Sequence, residues 1–348
     1  MDTLEPTRST STHNAALRFL SRSDIASLGG DRSDLYMEAI EDGFRLHAAG
    51  EYAQPLKPYL RSRHCGHIAD RIIAMPAWIG GDDPVAGLKW IGSKHDNPTL
   101  RSRERASALI VLNDDETHFP VAVLEAGRIS ALRTAAVTGV AARYLARTAF
   151  PAVAVIGCGP IGRTQIQMFC EQFPDVRRIR LFDLKRDAAL AAAEWIGGAY
   201  PKVEPVVCEQ PQEAVSGADV VVTATVTDRP YLKFDWLRPG TFLANVSIMD
   251  VEKAVFLKAD KVVVDDWDQC NREKKVINQL VEEGSFSRER LHAEIGEIVV
   301  GARPGRESED EIILLNPMGM AIDDIACARA ILRRAEAADV GAMLELFG

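Results

Sequence analysis

The stretch Ala154–Gln165, AVIGCGPIGRTQ, decides the fold. Its glycines at 157, 159 and 162 follow an apolar, β-branched run and open a helical pattern. In that context Gly157 permits a tight turn and Gly159 lets the backbone approach a pyrophosphate. Gly162 allows helix and strand to pack closely, with Pro160 and Ile161 between them. The free N–H groups of such a helix start face an anion. Asp183 ends the next strand, RIRLFD, 21 residues beyond Gly162. An acid there accepts hydrogen bonds from an adenosine ribose and repels a 2′-phosphate, so the spacing predicts NAD rather than NADP.

Working outward, short β-branched runs alternate with helical ones from AVAVIG through VEPVVC, DVVVTATV, GTFLANVS and KVVVDD to EIILLN. That alternation predicts an α/β fold, a Rossmann-type doubly wound parallel sheet over residues 149–317. The preceding region reads differently. RSDLYMEAIEDGFRLHAAGEY has helical spacing, whereas RIIAMPAWIGG, GLKWIGSKH, SALIVLND and PVAVLEAG are strands separated by turn residues. Short linkers, NDDETHF among them, imply antiparallel pairing and an α+β unit. The last amphipathic segment, AIDDIACARAILRRAEAADV, has nothing left to cover in the Rossmann region. It is expected to return to the first unit, making residues 16–148 and 318–348 one discontinuous α+β domain for substrate binding and dimerisation. Residues 1–15, rich in Ser and Thr, read as a flexible tail.

Composition narrows the function classes. The 348 residues carry a net charge of −9, which argues against nucleic acid and anionic membrane surfaces as partners. No stretch approaches the ~18 apolar residues of a membrane span, and the polar start lacks a signal core. Six scattered cysteines without a C-x-x-C pair predict no disulfide framework and no metal site, and suit the cytoplasm. Against the overall balance, residues 57–105 hold nine Lys/Arg and five Asp/Glu. Charge patterning alone fits a solvated basic face and a pocket for a carboxylate-rich molecule equally well.

No GxSxG elbow, HExxH pair or P-loop is present, so hydrolytic and phosphoryl-transfer chemistry lacks its parts. What stands out is charge inside apolar stretches: Lys89 in VAGLKWIG, Arg133 in ISALRTAAV, Asp250 at the end of FLANVSIMD. Each also has a plain structural reading. The lysine snorkels, the arginine pairs with a surface acid, and the aspartate caps a helix beginning in MDVEKAVF. Asp250 lies where ligands of open α/β sheets bind, outside a strand's carboxyl end. His67 and His95 in the basic region read as structural or substrate-orienting. Asp265, Asp266 and the NREKK run read as a solvated face.

Together GLKW, ALRTAAVTGVAARYLA, VIGCGPIG, the IMD turn and NPMGMAIDD resemble the ornithine cyclodeaminase/mu-crystallin family, from about Phe19 to the end. QPLKPYLR, GHIADRIIAMP, KWIGSKHDNP and VVVDDWDQCNREKK are similar to the branch that makes 2,3-diaminopropionate for siderophores or peptide natural products. The resemblance implies oxidative hydrolysis of N-((2S)-2-amino-2-carboxyethyl)-L-glutamate to L-2,3-diaminopropionate and 2-oxoglutarate, with NAD as cofactor and NADH formed. It implies Asp250 and Lys89 as catalytic residues, and Arg61, Lys89 and Arg133 as ligands of a small anionic amino-acid substrate. The cofactor would be held by Gly157, Gly159, Pro160, Ile161, Gly162, Asp183, Arg133, Thr134, Thr225 and Ser247. A homodimer built through the first domain is also implied. Ornithine cyclodeaminases carry a GGDCPGK-type turn where this chain has SIMDVEK, which speaks against proline formation. The alternatives are redox-neutral ornithine cyclodeamination, an imine reductase working in the synthetic direction, and mu-crystallin-like ligand binding without turnover.

Overall fold

The computed structural model describes residues 16–347 apart from 68, 248, 273 and 274, and the tail reading for residues 1–15 lies outside the described residues. The first region runs β1 (Ala16–Leu20), α1 (Arg22–Ser27), α2 (Ser33–Ala49), β2 (Tyr52–Ala53), β3 (Tyr59–Leu60) and β4 (Arg71–Ile79). It continues through β5 (Val85–Ser93), α3 (Asn97–Leu100), β6 (Ala106–Asp114), β7 (Pro120–Glu125) and α4 (Gly127–Leu145). Period-two burial in β4, β5 and β6 sets one face inward, with Met75 opposite Lys89 and Lys89 opposite Ile110. The β6–β7 turn is held by Asp114, whose Oδ1 accepts the Thr117 N–H at 2.8 Å.

The second region runs β8 (Ala152–Ile156), α5 (Pro160–Gln172), β9 (Arg178–Phe182), α6 (Arg186–Ala199), β10 (Glu204–Val207), α7 (Pro211–Ser216) and β11 (Val220–Thr223). Then follow β12 (Phe242–Asn245), α8 (Lys253–Lys258), β13 (Lys261–Val264), α9 (Trp267–Cys270), α10 (Val276–Glu282), β14 (Ala293–Glu294), α11 (Ile295–Val299) and β15 (Ile313–Leu315). All eight strands pair in parallel, in the order β10-β9-β8-β11-β12-β15-β13-β14. Every residue of β8, β11, β12, β13 and β15 is buried, as a parallel sheet covered on both faces requires. The strand order reverses between β8 and β11, which places a binding crevice over their carboxyl ends. EIILLN, the last run of the alternation, inserts between β12 and β13 and is not an edge strand.

The chain then returns. Helix α12 (Ala321–Ala338) packs on the inner face of the first sheet against β4 and β5, and against α2. The strands joined by short linkers pair antiparallel, β4 with β5, β5 with β6 and β6 with β7, whereas β1, a strand outside that series, pairs in parallel with β7. Beyond α12 a final strand, β16 (Ala342–Glu345), pairs antiparallel with β1. The two short terminal strands stabilise one another across the whole length of the chain, which no local alternation announces.

Candidate active site

The glycine loop lies between β8 and α5. Gly157 has φ +97°, and a Cβ there would meet the Ala224 carbonyl oxygen at 2.7 Å. A Cβ on Gly162 would fall 1.9 Å from the Gly157 oxygen, so strand and helix touch at that point. Gly159, by contrast, has no protein atom within 4 Å of where its Cβ would stand. Gly159 is also the N-cap of α5, Pro160 follows it, and no side chain caps the helix start. Asp183 at the end of β9 is tied to the loop, its Oδ2 accepting the Cys158 N–H at 2.8 Å. Open backbone at Gly159, an uncapped helix start and a neighbouring acid fit a dinucleotide diphosphate and its ribose.

Asp250 sits in the turn after β12, two strands from the glycine loop. It is fully buried and does not cap the following helix, whose N-cap is Glu252. Its Oδ1 accepts from Thr225 Oγ1 at 2.6 Å and from the Tyr231 hydroxyl at 2.9 Å. Its backbone oxygen accepts the N–H groups of Tyr231 and Leu232. Oδ2 is buried without a hydrogen-bond partner among the described residues. Burial pushes the carboxyl above its ordinary value, against the hydroxyls of Thr225, Ser247 and Tyr231, which favour the charged form. Burial and the adjacent Asp250 likewise raise Tyr231, which stays a phenol donor. Thr225 and Ser247 therefore shape the carboxylate: besides the Thr225 hydroxyl, the Ser247 Oγ accepts the Thr225 N–H at 2.9 Å. Thr134 donates to the Ser130 carbonyl within α4.

On the inner face of β5, Lys89 is 1% exposed and its Nζ lies 2.7 Å from Asp324 Oδ2 on α12. Arg133, in the second turn of α4, donates from Nε to Asp324 Oδ1 at 3.0 Å and has Nη1 3.6 Å from Asp323 Oδ2. Burial, then the adjacent Arg133, lowers Lys89 to about 8, with Asp324 opposing. Burial raises Asp323 to about 7 against the pull of Arg133. A third cation, Lys57, is buried and donates from Nζ to the Met318 carbonyl at 3.1 Å and also to that of Gly319. Burial holds Lys57 at about 7 despite Asp265 nearby. The Gly319 backbone, at φ +72°, lies directly under Arg133; a Cβ there would fall 2.4 Å from Nη1.

The Met318–Gly319 turn is anchored by Asp265, which accepts the Met318 N–H at 2.9 Å and the Gly319 N–H at 2.5 Å. This corrects the solvated-face reading. Asp265 and Asp266 are both buried; Asp266 caps α9 through the Gln269 N–H and accepts from Gln54 at 3.0 Å. A buried chain of hydrogen bonds, Thr223 to Asn245 at 2.9 Å and Asn245 to Asn316 at 2.7 Å, ties the ends of β11, β12 and β15 together. The Asp250 turn and the turn beneath Arg133 thus follow adjacent strands.

The remaining expected residues stand apart. Arg61 is exposed and donates to the Asp70 carbonyl at 3.3 Å. His95 Nδ1 lies 2.9 Å from the buried Asp70, and its ring stacks on His67 at 4.6 Å. These three side chains offer donor atoms within 4.8 Å of one another, but Lys94 Nζ already stands 2.6 Å from Asp70 as the cation. Burial alone would raise Asp70; the bonds from Lys94 and His95 outweigh it and hold the carboxyl well below its usual range. Sequence reasoning gave no role to Asp323, Asp324, Lys57 and Tyr231, and read Asp265 as solvated. The signal that found Lys89, charge within an apolar stretch, also marks the two acids of AIDDIACARAIL and the first acid of VVVDDW.

With fold and site described, the class follows. Residues 19–339 match the family model of the ornithine cyclodeaminase/mu-crystallin family, and the chain belongs to that family. Among its relatives is the N-((2S)-2-amino-2-carboxyethyl)-L-glutamate dehydrogenase of Staphylococcus aureus, 52% identical over 96% of this chain and 100% of the relative. Two solved structures share the fold. An archaeal alanine dehydrogenase dimer with bound NAD has a TM-score of 0.85 at 32% identity, covering 96% of this chain and 100% of that one. The Δ(1)-pyrroline-2-carboxylate reductase of Thermococcus litoralis with NADH and L-proline has a TM-score of 0.86 at 28% identity, covering 94% and 99%.

Proposed function

We propose that this chain is an NAD-dependent dehydrogenase that converts N-((2S)-2-amino-2-carboxyethyl)-L-glutamate and water into L-2,3-diaminopropionate and 2-oxoglutarate, with NADH formed. The observation that carries the reading is a pair of site halves: Arg133 lies over the turn that follows β15, and Asp250 lies in the turn that follows the adjacent strand β12. One half is a buried cation cluster and the other a buried carboxylate with one unbonded oxygen. The 52% identical relative acts on the same conjugate.

The substrate brings three carboxylates to a protein of net charge −9, so it needs local cations. Lys89 and Arg133 supply them, with Asp324 fixing both headgroups before substrate arrives. An incoming carboxylate favours the charged form of Lys89 and so strengthens its own binding. The secondary amine must be neutral for its lone pair to support oxidation, and Asp250 Oδ2 takes that proton. NAD, when bound over the glycine loop, accepts the hydride from the glutamate α-carbon. Asp250 releases the amine proton to solvent, and water then adds to the C=N carbon while the re-ionised Asp250 accepts a proton from it. Asp250 returns the proton to the departing nitrogen as the C–N bond breaks. Thr225 and Tyr231 hold Oδ1 throughout, leaving Oδ2 as the working oxygen.

A second copy covers the outer face of the first sheet, where Leu60, Ile72, Trp90 and Leu109 are exposed side by side by the strand register. No helix among the described residues is long and apolar enough to cross a membrane. We assign the enzyme to the cytoplasm, where its product enters siderophore or peptide natural-product assembly.

The test supplies the conjugate with NAD⁺, follows NADH by absorbance, and identifies both products by mass. Ornithine and alanine serve as controls. Stoichiometric NADH, diaminopropionate and 2-oxoglutarate are expected from the conjugate alone. Proline from ornithine without net NADH would replace this reading with cyclodeamination.

A further inference from the structure

A second group of cations lies further along the same sheet face. The guanidinium carbons of Arg61, Arg71 and Arg272 stand 5.8, 5.4 and 5.6 Å from the centroid of the Tyr59 ring. Arg61 and Arg71 belong to the first sheet and its β3–β4 connection. Arg272 arrives from the other half of the molecule, between α9 and α10, and its Nη2 donates to the Lys57 carbonyl at 3.2 Å. The cluster therefore joins the first sheet to the segment between α9 and α10.

Strand register places it relative to Lys89. Tyr59 pairs with Ile73, Ile73 with Ile91, and Met75 with Lys89, so Tyr59, Arg71 and Lys89 share one face. Arg71 lies four residues before Met75, about 13 Å along the strand at the usual rise per residue. In an extended conjugate four or five bonds separate the glutamate α-carboxyl carbon from either remote carboxyl carbon, about 5–6 Å at ordinary bond lengths. Flexible lysine and arginine side chains reaching inward from the two positions can span that length. The ring provides a flat surface against which guanidinium planes lie. Burial, then the nearby Arg71, lowers Arg105 at this end of the sheet.

We propose that Arg61, Arg71 and Arg272, ranged around Tyr59, form a second carboxylate subsite. It takes a carboxylate remote from the reacting carbon and sets the preference for a tricarboxylate conjugate over alanine or ornithine. The identity of the ligand rests on the proposed reaction; the anion-binding chemistry of the cluster does not. Two carboxylates of the conjugate qualify, that of the glutamate side chain and that of the diaminopropionate part.

The experiment compares Arg71→Gln and Arg272→Gln with the unaltered enzyme. On the full conjugate each is expected to raise KM roughly 10- to 100-fold, the loss of a charge-assisted pair, with kcat changed less than about threefold. Arg→Lys at either position restores part of the loss, because charge returns without the bidentate fork. Two truncated conjugates, each lacking one remote carboxylate, separate the sources. The truncation that removes the recognised carboxylate weakens the unaltered enzyme by a similar factor and leaves the arginine variants no worse on it. A reading independent of turnover is calorimetric titration with propane-1,2,3-tricarboxylate in the presence of NAD⁺, where each Gln variant is expected to bind at least about tenfold more weakly. Unchanged KM and unchanged tricarboxylate affinity in both variants would overturn the subsite, as would equal KM losses on all three conjugates. Arginine-dependent tricarboxylate binding without NADH from the conjugate keeps the subsite and removes the reaction. Should a Gln variant not fold, the truncated conjugates decide alone: equal KM for all three on the unaltered enzyme overturns the subsite.

Discussion

Replacing Asp324 by Asn removes the charge that holds both Lys89 and Arg133. The carboxylate is fully buried, with Oδ2 at 2.7 Å from Lys89 Nζ and Oδ1 at 3.0 Å from Arg133 Nε. At an effective dielectric of about 20, the Lys89 contact alone corresponds to a Coulomb term of about 6 kcal/mol. The net loss on breaking a buried pair from one side is smaller, about 3–5 kcal/mol, because desolvation had already offset much of the attraction. Its pH dependence has a definite sign. Lys89 titrates at about 8 in the folded protein, below an ordinary lysine, so its charged form destabilises the fold and the cost is relieved as pH rises through that value. Without Asp324 the folded value drops further and relief begins at lower pH. The deficit of Asp324→Asn relative to the parent is therefore largest near pH 6 and shrinks toward pH 8. Urea unfolding at both pH values, with unchanged slope, measures it. The kcat/KM profile for the conjugate, which needs the Lys89 charge, should lose its alkaline side at lower pH in the variant. A deficit below about 1 kcal/mol, or one independent of pH, would refute the assignment of Asp324 as the counter-charge.

Asp250→Asn should keep NAD affinity, measured by fluorescence titration, and lose turnover by roughly 100-fold or more. Gly159→Ala and Gly162→Ala should part company. The first has open space and leaves the urea midpoint unchanged while weakening NAD; the second drives a methyl into the Gly157 oxygen and lowers stability as well. Asp183→Ala should raise kcat/KM with NADP relative to NAD, since the acid facing the ribose no longer repels a 2′-phosphate.

The parallel sheet was legible because its strands are continuous apolar runs, and the fingerprint loop because its glycine spacing follows a strand and opens a helix, with Gly162 packed on Gly157. Lys89, Arg133 and Asp250 were visible as charges in apolar surroundings. Their partners were less so. Asp324 lies 235 residues from Lys89, and an acid in the first turn of a helix is ordinary on dipole grounds, so nothing local marks it as a counter-ion. Asp265 is followed by a run of charges that suggests solvent, yet its carboxylate accepts two backbone N–H groups of a turn 53 residues away. Pairing of β1 with β16 joins the two ends of the described chain, and neither strand is long enough to show a period.

The most direct test of the central claim, that the cation cluster and Asp250 serve oxidation at the glutamate α-carbon, is a label-transfer measurement. The conjugate carrying deuterium at that carbon is turned over with NAD⁺, and coenzyme and products are analysed by mass. One deuterated coenzyme for each 2-oxoglutarate, with unlabelled diaminopropionate, is the expected result. Unlabelled reduced coenzyme, or label retained in an amino-acid product with no net reduction, would contradict it.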